Sequence, residues 1–107
     1  MPNIKLQSEY PDLNKYRNIF GNIYYCKKDT GIIHNPYGPA YICEDVENGY
    51  VEYLIEDEIH RLDGPARIYA DGKEFYYING KQLSKGEFEK HPERLKYLGK
   101  EYLLCLK

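Results

Sequence analysis

The chain has no tryptophan and only one methionine in 107 residues. It also lacks a CxxC pair, a glycine-rich phosphate loop and any apolar run near the ~18 residues of a membrane helix. Each absence removes a class. Without the loop there is no motif for cradling a nucleotide, and the glycines are left to serve turns. Without a long apolar run there is no membrane helix to expect. MPNIKLQSEY, the N-terminus, has none of the apolar core of a signal peptide. Cys26, Cys43 and Cys105 are odd in number and widely spaced, which fits reduced thiols and a cytoplasmic protein better than a disulfide framework. The three histidines and three cysteines have no zinc-ligand spacing, so no metal or other cofactor is expected.

Basic residues are missing from one stretch. Between Glu44 and Glu58 there are seven acids, Glu44, Asp45, Glu47, Glu52, Glu56, Asp57 and Glu58, and no lysine or arginine. The overall charge is only −2, because the flanking segments are basic. Such a block reads either as a solvated sheet face or as an acidic surface for a basic partner. It disfavours direct nucleic-acid binding, although Lys81, Lys85, Lys90, Arg94, Lys96 and Lys100 make the C-terminal part basic.

What is abundant is tyrosine: 13 of them, with three phenylalanines, in a chain that is 42% hydrophobic. Tyrosine suits half-buried pleated surfaces and interfaces, so the composition points to one small β-rich domain.

The chain also repeats itself. HNPYGPA starts at His34 and HRLDGPA at His60, so that His34, Gly38, Pro39 and Ala40 recur 26 residues later as His60, Gly64, Pro65 and Ala66. Ile33 and Ile42 recur as Ile59 and Ile68, and Tyr53 and Ile55 match Tyr76 and Ile78. Asn48-Gly49, Asp71-Gly72 and Asn79-Gly80 are hairpin signals, since a type I′ turn needs positive φ at both central residues. Alternation puts Val51, Tyr53, Ile55, Tyr76 and Ile78 on an expected core face and Tyr50, Glu52, Leu54, Phe75 and Tyr77 on the other. The segment before Gly21 reads as irregular or as a short helix, running into a first strand near Ile19. Ser84 and Glu87 form a capping box ahead of a helix, Pro92 opens a further helical turn with Leu95 and Leu98, and residues 101–106 fit either a helix or an edge strand. The expected fold is mostly β, an antiparallel hairpin-repeat sheet with a C-terminal helical cap. It is one domain, 1–107, made of an N-terminal segment (1–20), β-hairpin repeats (21–83) and the cap (84–107).

These motifs resemble the His-Arg-x-x-Gly-Pro-Ala β-hairpin repeats of small proteins from bacteriophages and large DNA viruses, within the broader class of MORN-type aromatic repeats with glycine turns. IEDEIHRLDGPARIYADGKEFYYINGKQLSKGEF, residues 55–88, carries the match. The first copy departs from it, with Asn35 in place of the arginine. The resemblance implies a hairpin array and no single activity. A phage origin implies a host-directed binder, such as an inhibitor of a bacterial defence effector of the CRISPR kind.

His60 and Arg61, with Asp63 nearby, could be a catalytic pair. Yet His34 repeats the histidine without an acid, and a catalytic residue is rarely duplicated with each structural unit. His34, Gly38, Pro39, His60, Gly64 and Pro65 are therefore read as structural corners, and no catalytic residue is assigned. The expected function is non-enzymatic protein binding to a host protein with a basic nucleic-acid-binding groove. The contact residues are the seven acids with Tyr50, Arg61, Phe75 and Tyr77, and the acids would mimic nucleic acid if they share a surface. A small nuclease or hydrolase using His34 or His60, and a self-assembling virion protein, are the alternatives.

Overall fold

A computed structural model describes residues 3–100 of the chain. Residues 101–106, expected as helix or strand, lie outside the described residues. The fold is mostly β, with two short helices at its C-terminal end. The strands are β1 (Ile4–Leu6), β2 (Leu13–Arg17), β3 (Ile23–Lys27), β4 (Tyr41–Cys43), β5 (Tyr50–Glu52), β6 (Leu54–Ile55), β7 (Glu58–Ile59), β8 (Arg67–Tyr69), β9 (Glu74–Ile78) and β10 (Lys81–Leu83). Eight of them form one antiparallel sheet in the order β1-β2-β3-β4-β5-β8-β9-β10, and β6 and β7 pair as a separate hairpin.

That hairpin belongs to a second row of backbone bonds below the main sheet. Lys27 N–H donates to Ile32 and His34 N–H to Tyr25, so the lower end of β3 pairs with residues 32–34. Asn35 N–H donates to Leu54 and Asp57 N–H to Ile33, linking that segment to β6. Arg61 N–H donates to Tyr77 and Gly80 N–H to Ile59, linking β7 to the lower end of β9. Residues 34–40 and 60–66 cross between the rows. Ala40 and Ala66 close these crossings, each fully buried, each donating its N–H to the neighbouring strand (Glu52 and Phe75). A side chain larger than a methyl has no room there.

The turns differ in part from their sequence signals. Asn79-Gly80 is a two-residue turn with φ of 51° and 79°, as its pair of residue types predicts. Asp71-Gly72 is not: only Gly72 has positive φ (93°), and Tyr69 and Lys73 close a three-residue loop. Asn48-Gly49 is not a type I′ turn either. Asp45 Oδ1 accepts from the Glu47 and Asn48 amides, and Gly49 is needed for space. A Cβ there would lie 2.3 Å from the Asp45 carbonyl oxygen and 2.8 Å from that of Cys43. The sequence offers no glycine at Glu56-Asp57, yet these residues turn β6 into β7 with φ of 47° and 69°. Ile19 sits in the β2–β3 turn rather than in a strand, and β1 and β2 replace the irregular or helical start expected before Gly21.

Leu13, Tyr25, Ile78, Phe88 and Leu95 are buried on the covered side of the fold. Val51, Tyr53, Ile55 and Tyr76, expected in the core, are only half-buried, whereas Leu54, expected to point away, is buried. The reason is the second row. Leu54 sits where β6 has backbone neighbours on both sides. Ser84 caps α1 (Lys85–Glu89) through a complete capping box, and His91 caps α2 (Pro92–Tyr97). Phe88 packs on Tyr76 at 4.6 Å between ring centres, which fixes the helices to the Tyr76 face of the sheet. Tyr10 of the N-terminal segment meets Tyr25 edge-on at 5.4 Å on that same face.

Gly49→Ala is expected to cost about 3 kcal/mol, because backbone carbonyls cannot give way as a side chain would. Chemical denaturation of the variant measures this, and Gly31→Ala, where a Cβ meets nothing within 4 Å, is its control.

Candidate functional site

The face opposite the helices carries a ladder of aromatic rings. Strand alternation and register place Tyr16, Tyr24, Tyr41, Tyr50, Tyr69 and Phe75 on it, one per strand from β2 to β5 and then β8 and β9. Successive ring centres are 5.4, 6.2, 6.2, 5.6 and 5.6 Å apart. The first three pairs are stacked within 27° of parallel. Stacking covers ring faces in that part of the ladder, whereas Tyr50 and Tyr69 are tilted by 46° and Tyr69 meets Phe75 edge-on at 81°.

The ladder has two unlike halves. In the N-terminal half the phenol oxygens accept from amides: Tyr41 from Asn18 and Asn22 at 3.1 and 3.0 Å, Tyr16 from Asn14 at 3.3 Å, and Tyr24 from Asn3. In the C-terminal half, the hydroxyls of Tyr50, Tyr69 and Tyr77 have no hydrogen-bond partner among the described residues. Burial and the Glu52 carboxylate push the Tyr50 phenol above its ordinary pKa, so it remains a donor. Glu52 and Arg67 form an ion pair between these rings, and the Arg67 guanidinium lies 5.5 Å from the Tyr77 ring centre.

The sequence candidates fall into separate places. Tyr50, Glu52, Phe75 and Tyr77 share the ladder face. Glu44, Asp45 and Glu47 lie beyond the upper end of β5, in the β4–β5 turn, while Glu56, Asp57 and Glu58 lie at the lower end of β6. The seven acids therefore do not form one surface. Several are already engaged: Glu56 with Lys27 at 2.6 Å, Asp57 with the Ile33 amide at 2.7 Å, and Asp45 with its own turn.

The histidines join neighbouring hairpins. His34 Nδ1 accepts from the Glu56 amide at 3.0 Å, and His60 Nδ1 accepts from the Asn79 amide at 2.9 Å. Glu56 and Asn79 are the matching first residues of successive left-handed turns, and each histidine thus ties its corner to the turn of the next hairpin. His91 Nδ1 does the same at a helix start, accepting from Glu93 at 3.2 Å. A ring that accepts at Nδ1 is neutral, with its proton on Nε2. Burial and the nearby Lys27 charge lower the pKa of His34, in keeping with this.

Arg61 occupies the corner itself. Its Nη1 donates to the Pro65 carbonyl at 3.1 Å, its Nε to Asp63 at 2.8 Å, and the guanidinium lies 4.0 Å from the Tyr53 ring centre. Asn35 does the same work in the first copy, donating to the Pro39 carbonyl at 2.9 Å. Arginine and asparagine thus bind the proline carbonyl in both copies. Gly64 lets Arg61 lie close over the corner, since a Cβ would stand 3.1 Å from the guanidinium carbon and the side chain would have to shift. Neither Gly38 nor Gly64 has the positive φ that the Gly-Pro signal allows.

No family model, curated protein or solved structure matches this chain. Its chemistry is therefore read from its own geometry. Among the described residues, no three His, Cys, Asp or Glu side chains gather as metal ligands, and no helix is long and apolar enough to cross a membrane. The ladder is what sequence reasoning missed. Its signal is an aromatic residue in each of six strands, at or next to a strand end, and only the pairing register brings those residues into line.

His60→Ala is expected to lose about 1 kcal/mol and roughly 4–8 °C in Tm, while His60→Asn, which keeps an acceptor near the Nδ1 position, retains most of both. The His34 bond gives a pH dependence. With its pKa lowered by folding, the native ring stays neutral while the unfolded ring, near pKa 6.5, takes up a proton first. Its contribution is complete above about pH 6.5 and is lost as pH falls below that value. Thermal melts from about pH 7.5 to 5.5 should show a steeper fall for the wild type than for His34→Asn.

Proposed function

We propose that the chain is a non-enzymatic protein-binding module that docks through the C-terminal half of its aromatic ladder. One observation carries this reading. The ladder lies on the sheet face opposite both helices and the Tyr10 segment, and its rings are half-exposed. Tyr50, Tyr69, Phe75 and Tyr77 combine apolar edges with unpaired hydroxyls, the mixture that protein interfaces favour. The Glu52–Arg67 pair adds polar specificity at little net charge.

The histidine geometry supports the non-enzymatic part. A general base needs a free lone pair, and in each described histidine the Nδ1 lone pair is taken by a backbone amide. The more specific reading, a phage-encoded inhibitor acting on a bacterial defence effector in the host cytoplasm, rests on the sequence resemblance. Within it, recognition by aromatic edges has more support than mimicry of nucleic acid, because the acids are dispersed over the fold.

Affinity capture from host lysate, run in parallel with wild type and Tyr69→Lys, tests the proposal. The lysine stem can lie along the same sheet surface, so the variant should fold. Wild type should retain a protein that Tyr69→Lys binds at least about 30-fold more weakly, with Tm little changed. Equal recovery by both would show that the ladder is not the docking surface.

A further inference from the structure

The ladder has a counterpart on the opposite face. Arg17, Ile23, Ile42, Val51, Ile68 and Glu74 pair one to the next across β2, β3, β4, β5, β8 and β9. Each is the chain neighbour of a ladder residue, so strand alternation points it the other way. The result is a single row across the sheet, about 24 Å long at the usual strand spacing. Its middle is four aliphatic side chains, and its ends carry opposite charges. Ile4, 57% exposed, pairs with Arg17 and continues the row past it.

This row has no cover of its own. The groups that cover this face sit lower on it. Phe88 packs on Tyr76, two positions along β9 from Glu74, and Tyr10 packs on Tyr25, two positions along β3 from Ile23. Ile23, Ile42, Val51 and Ile68 are each only half-buried. Arg17 and Glu74 are exposed, and neither takes part in an ion pair among the described residues. An aliphatic strip between unpaired charges has the composition of an interface, apolar at its centre and polar at its rim.

The order of the row selects its occupant. A partner surface of one charge sign would suit one end and oppose the other. A second copy of the chain suits both. When a copy is turned about a two-fold axis parallel to the strands and laid on the first, the order of its row reverses. Ile42 then faces Val51, Ile23 faces Ile68 and Arg17 faces Glu74, and each contact is made twice. We propose that the chain forms a symmetric dimer through this row. The two sheets meet along the row and splay apart below it, which leaves room for the helices and the Tyr10 segments. The strip is narrow, so the dimer is weak and depends on concentration. Both aromatic ladders remain on its outer faces.

The proposal is independent of the ladder reading, and its test separates the two. Sedimentation equilibrium of the full chain between about 1 μM and 1 mM is expected to show a reversible monomer–dimer equilibrium. Arg17→Glu alone, or Glu74→Arg alone, should weaken dimerisation about tenfold or more, because each dimer then holds two like-charge contacts. The double variant Arg17→Glu/Glu74→Arg should regain most of the wild-type affinity. Within one chain these residues stand about 24 Å apart, so only contact between copies can produce that rescue. Both positions are exposed, so the variants should keep the wild-type Tm. Tyr69→Lys on the ladder should dimerise as the wild type does. A chain that stays monomeric throughout this range, single variants that dimerise as the wild type does, a double variant no better than the singles, or a dimer lost in Tyr69→Lys would each overturn the proposal.

Discussion

The fold depends on a hydrogen bond from a turn amide to a histidine ring nitrogen. The β6–β7 hairpin has only two residues per strand, and β10 has three, so their turns gain little from strand pairing alone. His34 and His60 supply the missing tie by reaching to the left-handed residue that opens the next turn. The β6–β7 and β9–β10 turns are therefore each tied to the corner before them. His34 must be neutral to accept, and burial in its corner works against charge there. The turn residue is then free in kind: Asn79 and Glu56 both serve, although only the first favours positive φ.

The corners and the ladder divide the labour between the two faces. On the covered face, small alanines let backbone rows approach, and the proline carbonyl is held by Arg61 or Asn35. These are packing tasks, and they consume polar groups. On the other face the aromatic rings stabilise each other across strands, worth about 0.2–1 kcal/mol per pair, without any covering layer. A sheet held from within by its corners can leave one face to solvent. That spare face is what makes a binding module of this size physically reasonable.

Much of the architecture was legible in the sequence, and for local reasons. The 26-residue echo marked the corners, Asn79-Gly80 marked a turn, and Ser84 with Glu87 marked a helix start. Each is a short-range preference that its neighbours do not override. Other features were illegible for equally physical reasons. Glu56-Asp57 turns against its own propensity because His34 and Ile33 hold its amides from outside. Asp71-Gly72 takes a three-residue loop because the strands it joins pair one position further out. Leu54 is buried because a second row of strands flanks it, and no alternation pattern encodes that row.

The candidate site divides in the same way. The residue types of the ladder, the acidic stretch and the two corners were set by the chain itself, since they follow from composition and repeat spacing. The sharing of surfaces was decided by tertiary structure. Strand register carries Tyr16, Tyr24, Tyr41, Tyr50, Tyr69 and Phe75 into one line although they are scattered over sixty positions of sequence. The extended run of β5 and β6 separates acids that are adjacent in sequence, placing three at one end and three at the other. Arg61 resembled a free functional cation until the fold laid it on Tyr53 and tied it to Pro65. A strand is rigid and extended, so residues close in sequence are driven apart along it while residues far apart in sequence meet across it. For that reason the parts of this protein could be read from its sequence, and their assembly into faces could not.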